Sequence, residues 1–232
     1  MKRKIVIATI KSWNVENALK FKEKNKNKYD VRIISKKEGL TYEKINKYKP
    51  EYIFFPHWSW IIPEKIYNNF ECFAFHMTDL PFGRGGSPLQ NLILRGYRKT
   101  RISVFRVIKE LDAGPIYMKQ TFSLQGSARD IYRRASRIIF QNMIPRIVKN
   151  KPALKPQKGK VIIFKRRSPG ESKIPREIDL NGMYNYIRML DAEGYPLAYT
   201  ETPKLKFEFY NAYIDKKCIS ANVKITEKNN EK

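Results

Sequence analysis

Short apolar runs alternate with segments of helical pattern along the first 150 residues, and this order constrains the fold more than any other feature. Each run is five to eight residues long and is bounded by polar residues, which is typical of buried strands. The predicted strands are Lys4–Thr9, Tyr29–Ser35, Glu51–Phe55, Cys72–His76, Ile102–Lys109 and Pro115–Phe122. The predicted helices are Val15–Lys24, Tyr42–Tyr48, Pro63–Asn69, Pro88–Arg95 and a long amphipathic helix from Ser127 to about Val148. This alternation predicts an α/β fold, a Rossmann-like core with a mostly parallel, doubly wound sheet.

The chain changes character after Asn150, where a segment rich in proline and charge is typical of loop. Within the remainder we predict strands at Lys160–Lys165, Lys204–Tyr213 and Cys218–Ile225, and a helix at Gly182–Leu190. The predicted organisation is a catalytic core over residues 1–150, a linker and returning helix packed on that core over residues 151–202, and a short two-stranded β-rich extension over residues 203–232.

Charge and composition narrow the class of protein only in part. The 232 residues include 47 Lys and Arg against 22 Asp and Glu, a formal net charge of +25. Such an excess is compatible with a nucleic-acid partner, an anionic small substrate or a solvated basic surface. No apolar run reaches the roughly 18 residues that a membrane span needs, and Met1–Ala8 is too short and too soon polar for a signal peptide. Because Cys72 and Cys218 form no disulfide framework, we expect a cytoplasmic protein.

Several familiar catalytic motifs are absent from the sequence. The loop Ile10–Asn14 after the first strand contains no glycine, so the dinucleotide fingerprint and the phosphate-binding loop are both missing. There is no HExxH, no Cys/His cluster and no GxSxG, so we predict neither a metal site nor a nucleophile elbow.

His76 and Asp112 are the residues best placed for acid–base chemistry. His76 ends the fourth predicted strand and leads into a glycine-rich loop, where a general acid/base or a structural histidine could stand. Asp112 lies in a turn between two apolar strands, 36 residues further on. Topology could bring both to one rim of the sheet, where a carboxylate fixes the tautomer of an imidazole and stabilises its cation.

These residues sit in motifs that resemble those of the formyltransferases that use N10-formyltetrahydrofolate. His76–Gly85 (HMTDLPFGRG) is similar to the family's His-Pro-Ser-Leu-Leu-Pro loop, and Leu111–Ile116 (LDAGPI) to its Leu-Asp-x-Gly-Pro-Ile loop. Upstream, Trp60–Pro63 (WIIP) looks like the family's Ile-Leu-Pro cofactor loop. Downstream, Ile174–Asp179 and Tyr186–Ala198 resemble its linker and following segment, so the resemblance covers roughly residues 1–200.

The resemblance implies a site and a mechanism. His76 would take a proton from the substrate amine that attacks the formyl carbon, and Asp112 would hold the imidazole. N10-formyltetrahydrofolate would be the cofactor. Its pterin would pack against the loop Trp60–Pro63 and form hydrogen bonds with the backbone of the loop Leu111–Gly114. The residues implied in cofactor binding are Trp60, Ile61, Ile62, Pro63, Leu111, Ala113 and Gly114.

One position departs from the family's pattern. The family's catalytic Asn, two residues before the His, is Ala74 here. In the family that Asn binds the formyl oxygen as it becomes an oxyanion, and losing one such donor typically costs ~10²–10³ in rate. His57, Asn91 and Gln90 are the candidate replacements, although His57 could equally be a histidine packed among aromatic side chains.

The amine is predicted to belong to a nucleotide-linked amino sugar. In this family, the methionyl-tRNA formyltransferases have a second domain after the linker. Only about 30 residues follow Tyr199 here, which predicts that such a domain is missing. We therefore favour a UDP-4-amino sugar of a pseudaminic-acid type of bacterial surface-glycan pathway, bound by Lys11, Trp13 and Arg84, and expect no membrane or nucleic-acid partner. The alternatives are a methionyl-tRNA formyltransferase-like enzyme, or an inactive family member that acts as a binding protein. The final strands could pair within the chain or across a homodimer.

Overall fold

The central sheet of the computed structural model, which describes residues 2–228, contains six of the eleven strands found among those residues. The strands are β1 Arg3–Ala8, β2 Tyr29–Ile34, β3 Tyr52–Pro56, β4 Cys72–His76, β5 Phe82–Gly85, β6 Lys99–Arg106, β7 Ile116–Ser123, β8 Ile162–Phe164, β9 Ala198–Glu201, β10 Leu205–Ile214 and β11 Ile219–Glu227. The order in the large sheet is β2-β1-β3-β4-β6-β7, in which the first four strands run parallel and β6 runs antiparallel to β4. The predicted α/β fold with a mainly parallel sheet is confirmed.

The helices also follow the predicted order. They are α1 Ser12–Lys24, α2 Tyr42–Tyr48, α3 Glu64–Asn69, α4 Pro88–Leu94, α5 Ala128–Ile138, α6 Ile144–Asn150 and α7 Leu180–Leu190. The long helix predicted from Ser127 is divided because Ile139–Met143 forms a π-helical turn between α5 and α6. The cause is Pro145, which lacks an N–H and whose ring would clash with the carbonyl one turn earlier.

Burial explains why the central strands are continuous apolar runs. All five residues of β3 are buried, as are the last four of β1. A strand in the middle of a parallel sheet is covered on both faces, so alternation between apolar and polar residues is not expected there. The loops that follow the carboxyl ends of β1, β3 and β4 carry several of the candidate site residues.

Two smaller sheets were only partly predicted. The glycine-rich loop after His76 contains β5, which pairs with β8. In the C-terminal region, β9 adds a third strand to the predicted pair, giving the antiparallel order β11-β10-β9. Neither β5 nor β9 exceeds four residues, which is too short for a periodic signal.

The described chain forms two compact units. The first unit contains residues 2–85, 100–122 and 132–163, and the second contains residues 86–99, 123–131 and 164–228. The predicted segments 1–150, 151–202 and 203–232 divide the chain differently and stay a prediction, with residues 229–232 outside the described chain. Within residues 2–228, no helix has the length and apolar character needed to cross a membrane.

Candidate active site

His76 is held between two acceptor groups in the first unit. It is the last residue of β4 and is 9% exposed. Its Nε2 lies 2.7 Å from the carbonyl oxygen of Gly83, and its Nδ1 lies 3.6 Å from Oδ2 of Asp112. A carbonyl oxygen only accepts, so Nε2 donates to Gly83, while the Asp112 contact is too long for a good hydrogen bond. With its proton on Nε2, the neutral ring carries its lone pair on Nδ1, the nitrogen that faces Asp112.

Asp112 is fixed by the backbone on either side of its turn. Its backbone has a left-handed φ of 52°, and its Oδ2 accepts a 2.9 Å hydrogen bond from the N–H of Gly85. The turn closes tightly at Gly114, where an added Cβ would overlap the carbonyl oxygen of Arg106. A glycine is therefore required at this position for Asp112 to face His76.

Gln157 ties this turn to β5. Its Nε2 donates to the carbonyl oxygens of Asp112 and Gly114, at 2.8 Å each. Its Oε1 accepts from Nε and Nη2 of Arg84, at 3.1 and 2.7 Å. Arg84, predicted to bind substrate, thus braces the Asp112 turn through Gln157. The sequence around Gln157 did not predict its contact with the Asp112 turn, because Gln157 lies in a proline-rich segment typical of a linker.

The residues implied in cofactor binding lie on two loops with exposed apolar side chains. Ile61 is 84% exposed and Leu111 is 66% exposed, and Trp60 is 37% exposed with its ring 4.8 Å from that of Trp58. Beside them in the chain lies an open surface depression of about 450 Å³, which none of the implied cofactor residues lines. Its lining begins at Glu64, directly after Trp60–Pro63, and includes 106–110, directly before Leu111.

Ala74 occupies the position of the family's Asn, and His57 is one of the candidates to replace that hydrogen-bond donor. Ala74 lies in the middle of β4, between Phe55 of β3 and Phe105 of β6. His57 follows β3 with a left-handed φ of 55° and contacts the rings of Trp13 and Tyr132, at 5.9 and 5.1 Å between centroids. Burial, with a smaller contribution from the charge of Lys11, lowers the pKa of His57 to about 4. His57 is therefore a neutral imidazole, a donor through one nitrogen only.

Gln90 and Asn91 use their amides to hold the backbone of the second unit. Gln90 Nε2 donates to the carbonyl oxygen of Met189 at 3.0 Å. Asn91 Nδ2 donates to the carbonyl oxygens of Gly86, Ser87 and Lys165. These bonds argue against the predicted donor role for both residues, and leave that role as a prediction for His57.

The two remaining predicted substrate residues differ in accessibility. Trp13 is 4% exposed and stacks on Tyr132, with ring centroids 5.3 Å apart and planes 5° apart. It is a core residue, so the prediction that it binds the substrate does not fit its burial. Lys11 is partly exposed just before α1, and its charge acts on His57.

Comparison with known proteins places the chain in a family. Residues 4–142 match the sequence model of the family described as formyl transferase, and residues 169–226 match that of the methionyl-tRNA formyltransferase C-terminal domain. The chain belongs to the formyl transferase family, whose members use N10-formyltetrahydrofolate as the formyl donor.

Individual relatives add detail to this assignment. A solved structure described as methionyl-tRNA formyltransferase from Clostridium thermocellum is 51% identical, with a TM-score of 0.96 over 97% of this chain and 100% of that one. The methionyl-tRNA formyltransferase of Mycoplasma capricolum is 24% identical over 221 residues, 92% of this chain and 66% of that protein. HypX from Aquifex aeolicus, solved in complex with tetrahydrofolic acid, shares the fold at 16% identity and a TM-score of 0.76, over 94% of this chain and 39% of that one.

The prediction of a nucleotide-sugar substrate was wrong. It depended on the short chain after Tyr199, yet the Clostridium thermocellum chain is matched over its whole length and carries the methionyl-tRNA name. Residues 169–226, which include much of the predicted linker segment, also match a methionyl-tRNA formyltransferase C-terminal domain. The chain spans only part of the curated relatives of that name, 66% of the Mycoplasma capricolum protein and 54% of one from Bacillus cytotoxicus.

Proposed function

We propose that this chain transfers the formyl group of N10-formyltetrahydrofolate to the amino group of methionyl-tRNA. The observation that carries the proposal is the 51% identity to the Clostridium thermocellum structure of that description, over nearly the whole of both chains. The match of residues 169–226 to the corresponding C-terminal domain supports it independently of the catalytic core.

The dyad His76–Asp112 supplies the proton chemistry. An ammonium group cannot attack a formyl carbon, so the amine must lose a proton, and a positioned histidine contributes to such a transfer. His76 is oriented by the carbonyl of Gly83 on one side and by Asp112 on the other. Asp112 faces the imidazolium that forms, and the N–H of Gly85 keeps its carboxylate in place.

The loops Trp60–Pro63 and Leu111–Gly114 would hold the folate. When bound, N10-formyltetrahydrofolate supplies the activated formyl group. The faces of its rings can pack on the exposed side chains of Ile61 and Leu111, because covering these side chains removes apolar surface from water.

The activity assay tests the proposal directly. The purified chain would be incubated with N10-formyltetrahydrofolate and methionyl-tRNA. The release of tetrahydrofolate and the formation of formyl-methionyl-tRNA would be measured over time. We expect release that depends on the aminoacylated tRNA, with uncharged tRNA as the control. Turnover on a nucleotide-linked amino sugar with none on methionyl-tRNA would overturn the proposal. Absence of turnover on either amine, with intact folate and tRNA binding, would instead support an inactive family member and equally overturn it.

A further inference from the structure

The neutral ring of His76 carries one N–H proton, and two acceptors compete for it. The carbonyl oxygen of Gly83 lies 2.7 Å from Nε2, whereas Oδ2 of Asp112 lies 3.6 Å from Nδ1. At equal distance the carboxylate would be the stronger acceptor, because hydrogen bonds to a charged group are about twice as strong as neutral ones. At 3.6 Å the contact with Asp112 is too long for a hydrogen bond, so the position of the Gly83 carbonyl decides which nitrogen carries the proton.

The choice of nitrogen matters for the proposed proton transfer. With the proton on Nε2, the lone pair of Nδ1 can take a proton from the amine, and the N–H that forms then faces the carboxylate of Asp112. With the proton on Nδ1, the lone pair of Nε2 would point at the carbonyl oxygen of Gly83, which has no proton to give. Only the first tautomer is therefore productive, and any contact that fixes the Gly83 carbonyl supports it.

Thr78 binds the same carbonyl oxygen as His76. Its Oγ1 donates to the oxygen of Gly83 at 3.3 Å, and because Thr78 is fully buried, water does not compete for this hydroxyl. Gly83 has a left-handed φ of 74°, a conformation in which a glycine turns its peptide groups at little steric cost. A second donor on the carbonyl therefore restricts the direction in which its oxygen points.

Ser103 of β6 holds the Thr78 segment in place from the central sheet. It is fully buried and is paired with His76 in the register of β4 and β6. Its Oγ donates to the carbonyl oxygen of Thr78 at 2.7 Å and accepts from the N–H of Leu80 at 3.2 Å. One hydroxyl thus bridges Thr78 and Leu80, and a core strand fixes the chain between His76 and Gly83.

We infer that Thr78 and Ser103 are positioning residues that keep the proton of neutral His76 on Nε2, through the carbonyl oxygen of Gly83. Both act through the loop and not on a substrate, since both are fully buried. The effect on catalysis rests on the proposed function, whereas the tautomer is a property of the folded chain alone. A neutral hydrogen bond changes an equilibrium by about fivefold, so losing one should change the ratio of the two tautomers by about that factor.

NMR of the chain labelled with ¹⁵N in its histidines tests the inference without any substrate. The chain has two histidines, so the spectrum of His57→Asn identifies the signals of His76. The protonated and unprotonated nitrogens of a neutral imidazole have widely separated shifts, which report the tautomer at about pH 8.5, roughly two units above the pKa of an ordinary histidine. We expect the proton on Nε2 in the parent chain, and a ratio shifted about fivefold towards Nδ1 in Thr78→Val and Ser103→Ala. Thr78→Ser, which restores a hydroxyl, should return the parent ratio.

Ser136→Ala is the matched control for Ser103→Ala. Ser136 is also buried in the first unit, and its Oγ donates to the carbonyl oxygen of Trp13 and accepts from Asn17 Nδ2. Its loss removes the same two kinds of bond and should leave the tautomer of His76 unchanged. Because Thr78→Val keeps the shape of the side chain, it decides the test if Ser103→Ala does not fold.

Three outcomes of the NMR measurement would overturn the inference. The first is an unprotonated Nε2 in the parent chain. The second is an unchanged ratio in Thr78→Val or in folded Ser103→Ala, and the third is an equal shift in Ser136→Ala.

Formylation kinetics separate this inference from the proposed function. We expect kcat with methionyl-tRNA to fall roughly tenfold in Thr78→Val and to recover in Thr78→Ser, with both KM values unchanged. A shifted tautomer with an unchanged kcat would overturn the conclusion that only one tautomer is productive. If the parent chain does not formylate methionyl-tRNA but the tautomer shifts as expected, the proposed function fails and the positioning role stands. If the parent chain is active and the tautomer does not shift, the inference fails and the proposed function stands.

Discussion

In the first unit the side chains of His76 and Asp112 are 10% and 13% exposed and have fixed partners, whereas the second unit carries six cations beside α4, five of them exposed. We call these six residues the α4 basic surface, which consists of Arg95, Arg98, Lys99, Lys165, Arg166 and Arg167. Residues 164–167 lie along α4, because Asn91 Nδ2 donates to the carbonyl oxygen of Lys165.

The proton transfer proposed for the dyad needs fixed geometry, because such a step depends on placement to within a fraction of an ångström. Attraction of tRNA, which the proposed function requires, needs only charge density, because phosphates are attracted over several ångströms in water. The two regions therefore predict different kinetic effects. Substitutions near the dyad should change kcat, and substitutions on the α4 basic surface should change the KM for methionyl-tRNA.

Removing the imidazole should have the largest effect. In His76→Ala we expect kcat to fall by ~10²–10⁴, the usual contribution of a positioned acid–base group, with little change in tRNA binding. Single-turnover formylation and tRNA anisotropy would measure both quantities, and circular dichroism would confirm the fold. Full activity in this variant would show that His76 is not the proton acceptor.

Gln157 offers a more moderate test of the same region. Gln157→Leu removes both hydrogen bonds to the Asp112 turn, and Gln157→Glu removes the same two donors while keeping an acceptor for Arg84. Because small displacements of a catalytic group cost up to about 10² in rate, we expect kcat to fall roughly 10- to 100-fold in both, with an unchanged KM for methionyl-tRNA.

The comparison between the two Gln157 variants carries the control. If Gln157→Glu were fully active and Gln157→Leu were not, the bond to Arg84 rather than the support of the Asp112 turn would explain the effect. A rise in the KM for methionyl-tRNA alone would contradict the division between the two regions.

Gly86→Ala should produce the opposite kinetic pattern. An added Cβ pushes residues 164–167 away from α4 and distorts the α4 basic surface, at a cost of roughly 1–3 kcal/mol in the free energy of unfolding. We expect a several-fold rise in the Kd for tRNA with kcat nearly unchanged. Gly170→Ala in the same unit is the control, since its Cβ would meet no atom within 4 Å. A fall in kcat alone would show that Gly86 supports the dyad instead.

The smallest expected effect concerns pH and His57. Its pKa is about 4 in the folded chain against 6.5 for an ordinary histidine, so the unfolded chain binds more protons between these values. The free energy of unfolding should therefore fall as the pH drops from about 6.5 to 4. In His57→Asn, where asparagine tolerates the left-handed backbone, this dependence should be weaker in urea unfolding series. An identical dependence in both proteins would show that His57 does not titrate in this range.

Some elements follow from local sequence and others do not. The run Tyr52–Pro56 is buried at every position and is recognisable as a central strand. Pro145 explains the π-helical turn, after which the chain continues in helical form as α6. The strand β5 depends wholly on its partner β8, because its Phe-Gly-Arg-Gly sequence has no strand character of its own.

The sequence by itself determined the α/β fold and the family, the latter through the two motifs that contain His76 and Asp112, because strand order and residue type are local properties. Only the tertiary structure decided that Gln157 supports the Asp112 turn, that Trp13 is buried and that residues 164–167 lie along α4. Each of these depends on contacts between residues far apart in the chain. No local pattern encodes such contacts, because the fold pairs the segments through backbone hydrogen bonds and close approach at glycine.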